Sequence, residues 1–89
     1  MSDESPFRAI AHPARRRILD LLRQRDRAVT DLFASFRMSR PAFSQHLRIL
    51  RTAGLVQQRR VGRHRVYALL PTRLQAIRHW IGHYDAVLK

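Results

Sequence analysis

No cysteine occurs in this chain, which excludes disulfides, thiolate metal sites and thiol redox sensing. Acids are scarce as well: six Asp and Glu stand against 18 Lys and Arg, so the formal net charge is +12. Lysine is nearly missing, since Lys89 is the only one, and the positive charge is therefore carried by arginine. Just three glycines are present, with no glycine-rich loop to cradle a phosphate, and the few acids are isolated. With no thiol nucleophile either, the sequence does not describe an enzyme. No apolar run approaches the roughly 20 residues of a membrane span. The opening MSDESPFRAIAHP has early acids and no long apolar stretch, so it does not read as a signal peptide. A cytoplasmic protein that makes no use of a membrane is the expectation, with no cofactor.

What is present is arginine and a modest apolar fraction. At 89 residues the chain predicts one domain, 1–89, and a thin core that a dimer would relieve. Hydrophobic residues make up 45%, too many for a disordered basic tail. Such a positive charge draws polyanions and makes binding salt-dependent. Arginine forks also fit phosphate oxygens and the edge of guanine. Solubility, or a general arginine bias in the coding, is the plainer explanation of the charge alone.

Ser5 can cap a short first helix with Pro6 in its first turn and an apolar stripe of Phe7 and Ile10. His12-Pro13 breaks it, because the residue before proline avoids helical geometry. A second helix is expected over 13–25, with Ile18, Leu19, Leu21 and Leu22 inward and Arg15, Arg16, Arg23 and Arg25 facing water or a partner. Residues 26–28 read as a polar connection. Thr30 is expected to cap a third helix over 31–36 that buries Leu32, Phe33 and Phe36. Ser39 caps a fourth, to about residue 53, and Gly54 stops it. Two strands, 56–60 and 65–70, turn on Gly62. Pro71-Thr72 opens a last helix that runs nearly to the C-terminus. The fold class is mainly α with a small β-hairpin wing: a winged helix-turn-helix of four helices, a hairpin and a fifth helix.

Placing the fourth helix at about 100° per residue separates two arcs. Ile49, Ala42, Ala53, His46, Leu50, Phe43 and Leu47 form the packing arc. Arg51, Ser44, Arg48, Pro41, Thr52 and Gln45 form the other, with Arg40 at its edge and no acid anywhere. A solvated face usually mixes both signs. A cationic, hydrogen-bonding face suits the major groove of double-stranded DNA, entered by the helix's N-terminal end. Arg40, Ser44, Gln45 and Arg48 are the expected base readers. His46, on the apolar arc, is read as structural. Around Gly62 stand Arg59, Arg60, Arg63, His64 and Arg65, a self-repelling set unless an anion neutralises it. The tip can follow the phosphate backbone or enter the minor groove. A charged edge hairpin kept soluble by repulsion is the alternative.

In the last helix Leu74, Ile77, Ile81, Tyr84 and Leu88 are spaced 3, 4, 3 and 4, a heptad seam flanked by Trp80 and Val87. Together with Phe7 and Ile10 they predict a homodimer interface, which would set two reading helices about 34 Å apart on a pseudo-palindromic site. His79 and His83 lie four apart, but without further ligands they are read as surface histidines and no metal is assigned. A winged-helix protein–protein interaction module without specific DNA binding is the competing reading.

The runs AIAHPARRRILDLL and VTDLFASFRMSRPAFSQHLRILRTAGLVQQRRVGRHRVYAL resemble the ArsR-type winged helix-turn-helix repressors over residues 7–70. The resemblance implies a homodimeric bacterial transcription regulator that contacts DNA through Ser39, Arg40, Ser44, Gln45 and Arg48, with the wing tip as a second contact. The third-helix cysteine box of the metal-sensing members corresponds here to VTDLFAS, which has no thiol. The resemblance is thus to the subset without a recognisable metal-sensing site, whose members answer to another small molecule or a protein effector, or repress their own genes.

Overall fold

A computed structural model describes residues 4–89; the first three residues of the predicted domain lie outside it. The elements run α1 (Ser5–Ala9), α2 (Pro13–Gln24), β1 (Arg27–Ala28), α3 (Val29–Ala34), α4 (Arg40–Thr52), β2 (Val56–Val61), β3 (His64–Leu69) and α5 (Leu74–Gly82). This is the expected winged helix-turn-helix, with one strand more than the sequence suggested.

That extra strand is β1, which pairs antiparallel with β3 through Arg27↔Tyr67 and Ala28↔Val66 and gives the sheet order β1-β3-β2. The pairing fixes Ala28 in an extended conformation, so α3 starts at once at Val29 and ends at Ala34. Thr30 is accordingly inside α3 rather than its cap, and Phe36 lies beyond it. Of the three side chains expected to be buried there, only Leu32 is fully so; Phe33 and Phe36 are half-buried.

The termini of α1 and α2 are tied together by arginine. His12 is extended, and its Nδ1 accepts the Ala14 amide at 3.0 Å, capping α2 ahead of Pro13. Arg15 Nε donates to the Ala9 carbonyl at 2.7 Å and its Nη2 to that of Arg8 at 3.2 Å. Arg16 Nη1 donates to the Ile10 carbonyl at 2.7 Å. These three carbonyls lie at the C-terminal end of α1, where a cation is also favoured by the helix dipole; that of Arg8 accepts the Ala11 amide as well, at 3.1 Å. Arg15 is therefore half-buried and bound within the chain, where water or a partner was expected. Ser5 is the first residue of α1, with Glu4 before it and no side-chain cap.

Helix α4 matches its sequence signals closely. Ser39 Oγ accepts the Ala42 amide at 3.2 Å. At the other end Gly54 takes φ 77°, with Gly54 N–H donating to Arg51 O and Leu55 N–H to Leu50 O, both at 3.0 Å. That crossed pair is the Schellman arrangement, which requires a left-handed residue after the cap. A Cβ on Gly54 would stand 2.8 Å from Arg73 Cδ, so the site also lacks room for a side chain.

The core gathers Ile18, Leu19 and Leu22 of α2, Leu32 of α3, Phe43, Leu47 and Leu50 of α4, and Leu55, Val56 and Tyr67 at the base of the wing. Helix α5 contributes no fully buried residue. It is also shorter than expected. Pro71–Arg73 form a turn before it, and after Gly82 the hydrogen bonds tighten: Tyr84 N–H donates to Ile81 O and Asp85 N–H to Gly82 O, three residues back. Leu88 is thus off the helix, and the heptad spacing does not carry through to it. Among the described residues no helix is long and apolar enough to cross a membrane.

Candidate nucleic-acid interface

Helix α4 divides as its angular plot predicts. Phe43, Leu47, Leu50 and Ala53 are buried; Arg40, Pro41, Ser44, Gln45, Arg48, Arg51 and Thr52 are exposed. Ala42 is the exception, exposed although it falls on the packing arc. It sits in the first turn, ahead of the point where the helix meets its neighbours. His46 is half-buried, as its arc implied. Its ring lies 4.4 Å from that of His12, and its Nδ1 is 3.1 Å from Arg15 Nη1. A guanidinium only donates, so Nδ1 accepts and the imidazole proton resides on Nε2. Burial, then the charges of His12 and Arg15, hold His46 below the ordinary histidine value of 6.5.

The hairpin separates its basic residues by register. Gln58↔Tyr67 and Arg60↔Arg65 are cross-strand partners, so Arg60 and Arg65 lie on the sheet face that carries Val56 and Tyr67 into the core. Arg59↔Val66 and Val61↔His64 lie on the opposite face. Gly62 makes the turn at φ 62° with no neighbour near its missing Cβ, so its role is conformational. With Arg63 not at positive φ, the two-residue loop suits a type II′ turn. Arg59 is less available than expected: it pairs with Asp26 at 3.0 Å, an ion pair across the sheet with both partners about half exposed (53% and 47%).

Helix α4 and the wing meet in one groove, lined by Val29, Arg40, Ser44, Leu47, Arg48, Arg51, Arg65 and Tyr67. Four arginines converge there, and no carboxylate lines it. The groove joins three residues named from sequence on α4 with one from the wing. Pro41 and Gln45 are exposed on the flank of α4 just outside it. Arg60 lies further along the same sheet face, Arg63 at the turn, and Arg59 and His64 behind. Arg51 and Tyr67 were not among the expected contacts. Arg51 was legible, since it follows Arg48 by three on the same arc; Tyr67 required the sheet register. The side chains of Arg48, Arg51, Arg60, Arg63 and Arg65 make no hydrogen bond, ion pair or ring contact among the described residues. Arg40, by contrast, has its guanidinium carbon 4.8 Å from the centre of the Phe33 ring.

The second apolar surface is on α1 and α5. Trp80 is 47% exposed, Ile81 41%, Tyr84 44% and Leu88 63%, although the Trp80 ring edge meets Phe7 at 5.9 Å. Phe7 and Ile77 are half-buried, while Ile10 and Leu74 pack partly against the chain's own core. His79 and His83 have ring centres 5.0 Å apart. Among the described residues no group of three or more His, Cys, Asp and Glu side chains assembles around them or elsewhere.

Residues 12–58 match the family described as bacterial regulatory protein, arsR family. The chain is 40% identical over 78 residues to the transcriptional repressor SdpR of Bacillus subtilis, spanning 88% of this chain and 87% of SdpR. Its fold superposes on the ArsR family transcriptional regulator RHA00566 with a TM-score of 0.84 at 27% identity, covering 96% of this chain and 93% of the other. A third likeness is to the homodimeric winged helix-turn-helix DNA-binding domain Mb0332 of Mycobacterium bovis, with a TM-score of 0.72, 28% identity, and coverage of 100% and 94%. Fold, interface chemistry and sequence agree: this chain belongs to the arsR family of bacterial regulatory proteins and is a DNA-binding transcriptional regulator, not an enzyme.

Proposed function

We propose that the chain, as a single domain, is a homodimeric repressor that sets α4 in the major groove of a pseudo-palindromic operator and runs its wing along the flanking backbone. The observation that carries this reading is the acid-free groove in which Arg40, Ser44, Arg48 and Arg51 of α4 meet Arg65 of β3. Like charges gathered without partners raise the energy of the isolated fold, and a duplex supplies the phosphates that offset it. Within the groove, Arg40, Ser44 and Arg48, with Gln45 beside them, address base edges. Pro41 keeps the helix's first turn close to the duplex, and Ser39 divides its hydroxyl between the cap and a phosphate. Arg60, Arg63 and Arg65 contact the backbone, with Arg59 and His64 on the outer side of the wing.

The dimer is supported by the exposed Trp80, Ile81 and Tyr84 of α5 beside Phe7, with Ile10, Ile77, Leu74 and Leu88 around them, and by the homodimeric relative. A repressor of this kind works in the cytoplasm and releases its operator on a signal from a small molecule or a protein. Selection of bound fragments from random duplex DNA, read by sequencing, tests the whole assignment. An inverted repeat with half-sites about 10 bp apart centre to centre is expected. Recovery of unrelated sequences would refute specific reading, and a single unrepeated half-site would refute the dimer.

A further inference from the structure

We propose that Phe33 is a positioning residue for base reading: its ring holds the Arg40 guanidinium at the N-terminal end of α4, aimed at one base pair. The inference rests on the reading of α4 as the base-contacting helix.

Arg40 is the first residue of α4, where the exposed amides carry partial positive charge and a cation is disfavoured. Nothing in the helix itself therefore retains an arginine there. Its guanidinium carbon nevertheless stands 4.8 Å from the centre of the Phe33 ring, within cation–π range. Phe33 in turn packs on the buried Phe43, with ring centres 5.3 Å apart, and Phe43 meets Phe36 at the same distance. The shelf under Arg40 is thus anchored by the core of α4 itself.

Stacking has two consequences for recognition. A long arginine side chain has much rotamer freedom, and holding it before DNA arrives lowers the entropy lost on binding. The guanidinium carries five N–H donors, and with its carbon over the ring those not directed at Phe33 stay open for guanine O6 and N7. Arg48 and Arg51 have no ring beneath them among the described residues. Arg40 is the arginine of this groove held in place before DNA arrives, and Phe33 brings α3 into sequence reading without touching DNA.

The test compares base preference, by selection from random duplexes, for the intact chain and for Phe33→Leu, Phe33→Tyr, Arg40→Ala and the Phe33→Leu/Arg40→Ala pair. Phe33→Leu should lower operator affinity about two- to five-fold and flatten the preference at the position Arg40 reads. The salt slope should stay where it was, because no charge has changed. Phe33→Tyr should retain the preference, and Phe33→Leu should add nothing in the Arg40→Ala background. A loss spread evenly over all positions, or one that persists without Arg40, would overturn the proposal. Should Phe33→Leu fail to fold in a thermal melt, NMR of the intact chain decides. Arg40 Hδ protons shifted by the ring current, with a restricted Nε, support the shelf; random-coil shifts reject it. Unchanged preference in Arg40→Ala would instead refute the reading of α4's first turn. A flattened preference in Arg40→Ala alone would reject only the role of Phe33.

Discussion

The arginines of the α1–α2 junction and those of the α4–wing groove are the same residue type with opposite assignments. At the junction, Arg15 and Arg16 spend their donors on the carbonyls of Arg8, Ala9 and Ile10; at the other end of α2, Arg27 of β1 likewise donates to Leu21 O at 3.1 Å and Gln24 Oε1 at 2.8 Å. In the groove, Arg48, Arg51 and Arg65 have no such partner among the described residues. A net charge of +12 is therefore not one property. Part of it fastens helix ends, and part stays unpaired in the groove proposed to meet DNA. Position relative to an unsatisfied carbonyl decides which, and that is fixed by the fold rather than by composition.

The comparison predicts that the two regions break in different assays. Replacing Gln45 and Arg48 together with alanine should cost operator affinity on the order of 100-fold or more, since each paired base contact contributes about 1–3 kcal/mol. The melting curve should not move; retained operator affinity in a mobility-shift assay would remove α4 from the base-reading role. Arg15→Ala should do the reverse, lowering stability by roughly 1–2 kcal/mol in urea titration because the part-buried acceptors Ala9 O and His46 Nδ1 lose their donor. An unchanged urea midpoint would show that these hydrogen bonds add nothing to stability. Arg60→Ala with Arg63→Ala should weaken binding to every duplex alike and reduce the salt slope by about 2, near 0.9 for each phosphate no longer neutralised. An unaltered slope would mean that the wing does not touch phosphate.

The smallest effect concerns His46, at the boundary of the two regions. Its folded-state value lies below 6.5, so the unfolded chain takes up the proton first. The corresponding stability is present in full above pH 6.5 and is lost as pH falls through the depressed value. Wild type should therefore lose stability on acidification below pH 6.5 more steeply than His46→Gln, measured by urea midpoints across that range. Parallel pH profiles for the two proteins would remove His46 as the cause.

Much of the local chemistry was legible in adjacent residues, although the caps expected at Ser5 and Thr30 are not formed. Ser39 as a cap, Gly54 as a stop, the glycine turn at 62 and the two arcs of α4 all depend on steps of one to four positions. Strand β1 escaped because two residues, Arg27 and Ala28, carry no alternation, and their partners Tyr67 and Val66 lie far along the chain. The ion pair of Arg59 with Asp26 escaped for the same reason, and the contact of Arg40 with Phe33 because it crosses the turn between α3 and α4. The over-long α5 has a different cause. Its heptad spacing is real in the sequence, but Gly82 and the following turns end the helix before the pattern does.

Gly54 has a bearing on how this chain could be varied. Its left-handed backbone and the Arg73 side chain that occupies the place of its Cβ are two separate obstacles to any other residue. Shortening Arg73 would relieve the steric one and leave the conformational one, about 1–2 kcal/mol. Second-site suppressors of a Gly54→Ala defect should accordingly arise at position 73 and be partial. Positions 54 and 73, at the junction of α4 and α5, should therefore vary as a linked pair, although the two residues are far apart in the sequence.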